Sequence, residues 1–234
     1  MRKLKNIEIF FILIAIAVIA VLIWWALQKD DDDDFWVVVG NSTSSNYKSI
    51  QYSKKGKSDY INSSGASFNT KGTGVAYGGK LWVAVGDDSG SSLRNVLWSS
   101  DGIKWNESTG SSFLGIGHTV AYGMSSDNKP LWVAGGQGDS GTSHGNIMTS
   151  RDGKDWVLSS ADGPSLDPNV YSIAYGHSSA SDPLWVALGD STDSKSLMWS
   201  DNGHDWNYSG GIQVALTNLG GAVAYGTSNG TDPL

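Results

Sequence analysis

Between residues 35 and 234, apolar residues gather in short runs separated by stretches rich in Gly, Ser, Asn and Asp. Short apolar runs bounded by turn residues read as strands rather than helices. They recur in a fixed order. One run ends Val-Ala-Tyr-Gly, at 75–78, 120–123, 173–176 (with Ile first) and 223–226. The next reads Leu-Trp-Val-Ala-x-Gly, at 81–86, 131–136 and 184–189, with a variant at 35–40. A polar loop follows, then Ser-x-Asp-Gly-x-x-Trp at 99–105 and 150–156, matched at 200–206 by Ser-Asp-Asn-Gly-His-Asp-Trp, with a degenerate copy at 53–60 where Lys54 and Lys55 replace the acid. Copies are 45 to 53 residues apart, a period that signals solenoids, propellers or arrays.

The Leu-Trp-Val-Ala run is apolar on both faces of a strand, so it must be covered on both sides. Val-Ala-Tyr-Gly is another short strand, joined tightly to it by Gly79-Lys80 in one copy and by longer loops in the others. Third strands are expected at 49–53, 95–99, 146–150 and 196–200, and a fourth begins at each box tryptophan. Four antiparallel strands per repeat predict the blade of a β-propeller, with a solenoid as the alternative. Phe35 and Leu234 both stand in register with Leu131, so the C-terminal run is expected to supply the strand that the first copy lacks. The fold class expected is therefore all-β: about four four-stranded blades over 35–234, closed by N- and C-terminal strands. A longer array is the alternative.

Residues 9–27 carry no charge, close to the roughly 20 residues a helix needs to cross a bilayer. A transmembrane helix is expected over 7–28, after a basic stub at 1–6 and before an acidic linker at 29–34. A cleaved signal peptide is the competing reading, but its apolar core is usually about 7–15 residues long and ends on small residues. Trp24 and Trp25 stand there instead. Arg2, Lys3 and Lys5 before the span and Asp30 to Asp34 after it place the N-terminus in the cytoplasm and the repeats outside it. The five aspartates read as a solvated spacer rather than a calcium cage.

Composition narrows the chemistry. Thirty glycines and eleven tryptophans fit short strands with many turns, and the absence of cysteine removes disulfide and thiolate-metal frameworks. Beyond residue 34 there are 12 Lys and Arg against 17 Asp and Glu, an unpromising surface for nucleic acid. His118, His144, His177 and His204 fall at unlike repeat positions, so no metal site is expected, and no cofactor is implied.

Ser99-Ser100-Asp101-Gly102-Ile103-Lys104-Trp105 resembles the Asp-box, or bacterial neuraminidase repeat, one residue shorter than the usual Ser-x-Asp-x-Gly-x-Thr-Trp. Joined to Trp-Val-Ala-x-Gly, it is also similar to repeats in surface and virion proteins of large DNA viruses and in bacterial cell-surface proteins. The resemblance covers 35–234 and implies that the box is a structural turn between the third and fourth strands, away from any ligand site. Asp101, Gly102 and Trp105, Asp152, Gly153 and Trp156, and Asp201, Gly203 and Trp206 are then turn residues. The physics agrees: an Asp side chain bonds backbone N–H groups two residues on, Gly takes positive φ, and Trp is a buried plug.

The same resemblance suggests a sialidase-like glycosidase, but such enzymes grip a carboxylate with three arginines and use a Tyr–Glu pair. Beyond the apolar segment there are only Arg94 and Arg151, and one glutamate, Glu107. Copies differ most in the loops after the second strand, at 41–48, 87–94, 137–145 and 190–195, and in the loops from the fourth strand to the next first strand. Loops on a rigid scaffold are where binding concentrates. Asp87, Asp88, Arg94, Asp139, His144, Asp190 and Asp193 are the candidate binding residues. Sequons at Asn41, Asn62, Asn106, Asn207 and Asn229 would carry glycans in a eukaryotic secretory route. The expected function is a membrane-anchored structural or interaction β-propeller, with the membrane as partner through 7–28 and a protein or glycan through the loops. A minor capsid- or membrane-associated virion protein of a large DNA virus is one concrete form, and a cell-surface adhesin or carbohydrate-binding module is another.

Overall fold

The computed structural model describes residues 35–41, 46–88, 95–138, 146–159, 164–178, 182–190, 195–209 and 221–226. The stub 1–6, the expected helix 7–28 and the linker 29–34 lie outside them. Among the described residues no helix is long and apolar enough to cross a membrane.

Four sheets follow one another along the chain. The first holds β1 (Trp36–Val39), β2 (Ile50–Ser53) and β3 (Ile61–Asn62). The second runs β5 (Lys71–Gly78), β6 (Leu81–Asp87), β7 (Val96–Ser99), β8 (Lys104–Glu107), and gains β4 (Ser64–Gly65) at its outer edge. The third repeats this as β10 (Gly117–Met124), β11 (Pro130–Gly136), β12 (Ile147–Ser150), β13 (Asp155–Leu158), with β9 (Thr109–Gly110) outside. In the fourth are β14 (Val170–His177), β15 (Pro183–Gly189), β16 (Leu197–Ser200) and β17 (Asn207–Tyr208). The fold is thus all-β with antiparallel meanders, as the repeat predicts. Third strands start one residue later than expected, and in three of them the residue before, Ser49, Asn95 or Asn146, does another task, described below.

Each core lies between sheets. Leu81, Val83 and Val85 of the second sheet pack against Trp132, Ala134, Met148 and Trp156 of the third. Leu131 and Val133 of the third meet Trp185, Ala187, Met198 and Trp206 of the fourth. Val37, Val39 and Ile50 of the first meet Trp82, Ala84, Leu97 and Trp105 of the second. The alternation of the strand therefore sorts Leu-x-Val toward the next sheet and Trp-x-Ala toward the previous one. Each fully buried side chain of this size contributes about 1.5–3 kcal/mol.

Chain crossings clasp the same junctions. The segment leaving one sheet runs parallel to the outer strand of the next: Ser64 N–H donates to Ile103 O at 2.8 Å and Ala66 N–H to Trp105 O at 3.0 Å. Thr109 N–H to Lys154 O (2.8 Å) and Ser111 N–H to Trp156 O (2.7 Å) repeat the clasp one sheet later.

Tyr122, Tyr175 and Tyr225 each lie on the Gly that ends the preceding copy of the Val-Ala-Tyr-Gly run, in the inner strands β5, β10 and β14. Added Cβ atoms at Gly78, Gly123 and Gly176 would sit 2.1, 2.3 and 2.2 Å from Tyr122, Tyr175 and Tyr225, so only glycine fits. The tyrosines of these strands also face the cross-strand tryptophan: Tyr77–Trp82, Tyr122–Trp132 and Tyr175–Trp185 have ring centroids 4.7–4.8 Å apart, a favourable tilted geometry.

Among the described residues no sheet closes on itself, and β1 pairs only with β2. Residues 221–226 form no strand. Val223 N–H donates to Ser172 Oγ at 3.0 Å, so this run lies beside β14.

Gly123→Ala is expected to destabilise by about 1–3 kcal/mol, as overpacking does, measured by urea unfolding. In a Tyr175→Ala background the added cost should shrink, because the clashing ring is gone. Additive losses would show that the tyrosine does not set the glycine requirement.

Candidate functional site

Strand direction divides the turns between two ends. The inner hairpins (Gly78 to Leu81, for example) and the Ser-x-Asp-Gly turns share one end, because Ser99 pairs with Trp82. The loops after the second strand and those leading into the next inner strand share the other.

At the first end, Ser99 Oγ accepts from Gly102 N–H at 2.8 Å and donates to Asp101 Oδ1 at 2.9 Å. Asp101 Oδ1 in turn accepts from the Ile103 and Lys104 amides, both at 2.8 Å. Gly102 takes φ 71°, and Trp105 Nε1 closes the turn on Gly102 O at 3.1 Å. Ser150, Asp152, Gly153 and Trp156 repeat this, with the Lys154 and Asp155 amides on Asp152 Oδ1 at 2.9 Å. Burial raises the Asp101 and Asp152 carboxyls, but the amide bonds outweigh it and leave both below the ordinary aspartate value.

The third turn corrects the sequence-based expectation for Asp201. Asn202 stands where Asp101 and Asp152 stand, and its Oδ1 accepts from the His204 and Asp205 amides at 2.8 Å. Asp201 is the exposed residue before it. Gly203 keeps φ 73°, while Trp206 is buried with Nε1 unpartnered. In the degenerate copy Ser53 Oγ still accepts from the Lys55 and Gly56 amides at 3.1 Å, and Tyr60 Oη replaces the indole by donating to Gly56 O at 3.0 Å. The serine half of the staple survives without the acid.

At the other end every inner strand carries a β-bulge at one repeat position. The register slips at Thr73, His118 and Tyr171, two residues before each Val-Ala-Tyr-Gly or Ile-Ala-Tyr-Gly. A bulge re-aims its side chain, and bulges gather at rims and functional sites. Thr73 Oγ1 donates to backbone carbonyls of two sheets, Val85 O at 3.1 Å and Gly117 O. His118 and Tyr171 belong to a polar relay. Tyr171 Oη and Asn169 Nδ2 both donate to Asp190 Oδ2, at 2.9 and 2.8 Å. That leaves Asn169 Oδ1 toward His118 Nε2 at 3.3 Å, so the Nε2-protonated tautomer is assigned from the network. Burial lowers the His118 pKa and Lys71 adds to this, against Asn169 and Asp190. Burial and the Asp190 carboxylate raise that of Tyr171. Both shifts favour the uncharged imidazole of His118 and the uncharged phenol of Tyr171.

Of the candidate binding residues, Asp87, Asp88 and Asp190 lie at this end. Asp190 anchors the relay. Asp88 is buried and accepts from Asn69 Nδ2, and Asp87 pairs with Lys71 across the strands. Arg94, Asp139, His144 and Asp193 lie outside the described residues. Among the described residues no cluster of His, Asp and Glu could hold a metal ion. Thr73, His118, Asn169 and Tyr171 were missed because the bulge does not disturb the apolar pattern. The one signal for Thr73, His118 and Tyr171 is their shared offset from the Tyr-Gly run.

The loops into the inner strands, expected to offer binding surface, are partly core. Phe68, Phe113 and Leu166 are buried plugs. Ser49 Oγ bonds both backbone groups of Phe68 (2.9 and 3.0 Å), Asn95 holds Phe113 N–H (3.0 Å), Phe113 O (2.6 Å) and Gly115 O (2.9 Å), and Asn146 Nδ2 donates to Leu166 O. The buried start of each third strand thus pins the plug. Among the sequons, Asn41 and Asn207 are exposed and Asn106 is half-buried. Asn62 spends its amide on Asn46 O (2.7 Å) and its carbonyl on Lys48 N–H (2.9 Å). Asn229 lies outside the described residues.

Asn202→Ala and Asp101→Ala should each cost about 1–2 kcal/mol, as loss of a local cap does, while Asp201→Ala should stay within about 0.5 kcal/mol. Since the folded-state pKa values of Asp101 and Asp152 are depressed, their stabilisation is complete above about pH 4 and is lost as pH falls through the folded values. Asp101→Asn keeps the acceptor, as the third turn does, and should flatten that acid-side loss. Urea titrations from pH 5 to pH 2 with equal slopes for both chains would contradict this.

No protein-family model matches the chain, and no curated protein matches it at a significant level.

Proposed function

We propose that the four sheets are blades of a β-propeller, closed by β1 and the 223–226 run, tethered to a membrane by residues 7–28 and serving as a structural or interaction module. The observation that supports this most is the segregation of roles between the two ends. At one end the repeated acids are consumed by backbone amides. At the other, bulges fall at Thr73, His118 and Tyr171, and His118 (through Asn169) and Tyr171 are joined to Asp190 where the variable loops leave the strands. That end offers hydrogen-bond donors, acceptors and net negative charge, which suits a protein partner with basic and polar groups. A virion component of a large DNA virus that contacts capsid proteins through this end is the concrete form we favour. A carbohydrate-binding module is the second reading, because paired carboxylate, amide and phenol groups also suit sugar hydroxyls.

A photoreactive amino acid at His118 or Tyr171 in the membrane-embedded full chain is expected to crosslink one defined partner, and at Ile103 or His204 none. Equal labelling from both ends would contradict the reading. So would cleavage of chromogenic glycosides that disappears in Asp190→Asn, which would make the module an enzyme.

A further inference from the structure

We propose that the open face of the fourth sheet is the seat for the lysine-bearing turn of the first sheet of the same chain, with Lys57 over the Trp199 ring; this rests on reading the sheets as blades of one ring. Two half-cores are left over once the three junctions are made. On the fourth sheet, Leu184 and Val186 occupy the places of Leu81 and Val83 and of Leu131 and Val133. Those residues are buried under the next sheet, with Gly153 against Leu81 and Val83 and Gly203 against Leu131 and Val133. Leu184 and Val186 instead line a hollow of about 740 Å³ together with Trp199, Asp182 and Asp201. On the first sheet, Trp36 and Val38 are 56% and 39% exposed, although their counterparts Trp132 and Ala134 are buried. A Leu-x-Val face without its Trp-x-Ala partner and a Trp-x-Val face without its Leu-x-Val partner are complementary halves of one more junction.

The register of the existing junctions names the contacts. Lys154, just after the turn glycine of the third sheet, lies over Trp98 of the second, with Nζ 4.3 Å from the ring centroid. At the next junction the same two positions hold His204 and Thr149, and at the first they hold Ile103 and Tyr52. Trp199 is the equivalent of Trp98 on the fourth sheet, 39% exposed. Lys57 follows Gly56, which has φ 66° like the other turn glycines, and so is the equivalent of Lys154. The remaining tryptophan and the remaining lysine at these positions would meet at one junction. Such a contact between a cation and an indole is attractive when the ammonium lies within about 6 Å of the ring.

Inner strands carry a second, independent pair of vacancies. Tyr122, Tyr175 and Tyr225 each cover a glycine of the preceding copy, while Tyr77 is 57% exposed. Among the described residues nothing lies within 4 Å of the would-be Cβ of Gly226. Seating the first sheet against the fourth brings Tyr77 onto Gly226, in the relation that the other three pairs show.

The chain has no cysteine, so paired cysteines report cleanly. Lys57→Cys with Trp199→Cys in the full-length chain, treated with a short bismaleimide, is expected to give a linkage within one chain, read by peptide mass. Lys154→Cys with Trp98→Cys, already neighbours, calibrates the reagent. Gly226→Ala is expected to lower Tm as much as Gly123→Ala. A Tm loss without the Lys57–Trp199 linkage would mean that the ring closes another way: the proposed seat falls and the propeller stands. Linkage only between chains overturns the same-chain seat in favour of a second copy. No linkage and an unchanged Tm for Gly226→Ala overturns both the seat and the closed ring.

Discussion

No sheet of this protein owns a core. The leucine–valine face of one is filled by the tryptophan–alanine face of the next, as Leu81 and Val83 are filled by Trp132, Ala134 and Trp156. Most other features follow from that constraint. β6 and β11 are apolar on both faces because each lies between two neighbouring sheets. The box tryptophans are buried because they are the part of each sheet that reaches its neighbour. Glycine is required at 78, 123 and 176 because the inner strands approach so closely that a tyrosine ring occupies the space of a Cβ. Against about 1.5–3 kcal/mol for each buried side chain, the Ser–Asp staples, at about 1–2 kcal/mol apiece, refine the junctions rather than create them. The degenerate turn at 53–60 tolerates loss of its acid for that reason.

Stacking of this kind separates construction from recognition. The staple end is saturated: Asp101, Asp152 and Asn202 each accept two backbone amides. The bulge end is where side chains are turned out of the ladder, and the relay from His118 through Asn169 to Asp190 and Tyr171 spans two sheets. A contact there would be sensed by two sheets together.

Much of the architecture could be read from the repeat, because strand identity and order depend on local apolar runs and turn residues. The role of the box was legible too, since Ser, Asp, Gly and Trp at those spacings have few other uses. Asp201 was misplaced because Asp-Asn-Gly offers two possible staples to the eye, and only the count back from Gly203 selects Asn202. The relay was not legible. A bulge adds one residue to one strand without changing the run of apolar side chains, so Thr73, His118 and Tyr171 looked like ordinary strand entries. The pinning of Phe68, Phe113 and Leu166 by Ser49, Asn95 and Asn146 joins residues about twenty apart, and polar residues near a strand start read first as turn. Four candidate loop residues, Arg94, Asp139, His144 and Asp193, fall outside the described structure.

Shared cores make a neighbour's stability the most direct readout. In Trp156→Ala, amide hydrogen exchange should show lost protection not only in β12 and β13 of its own sheet but equally in β6 of the preceding one, whose Leu81 and Val83 the indole covers. Loss confined to the third sheet, with β6 as protected as in the unaltered chain, would mean that each sheet is held by itself and would contradict the account.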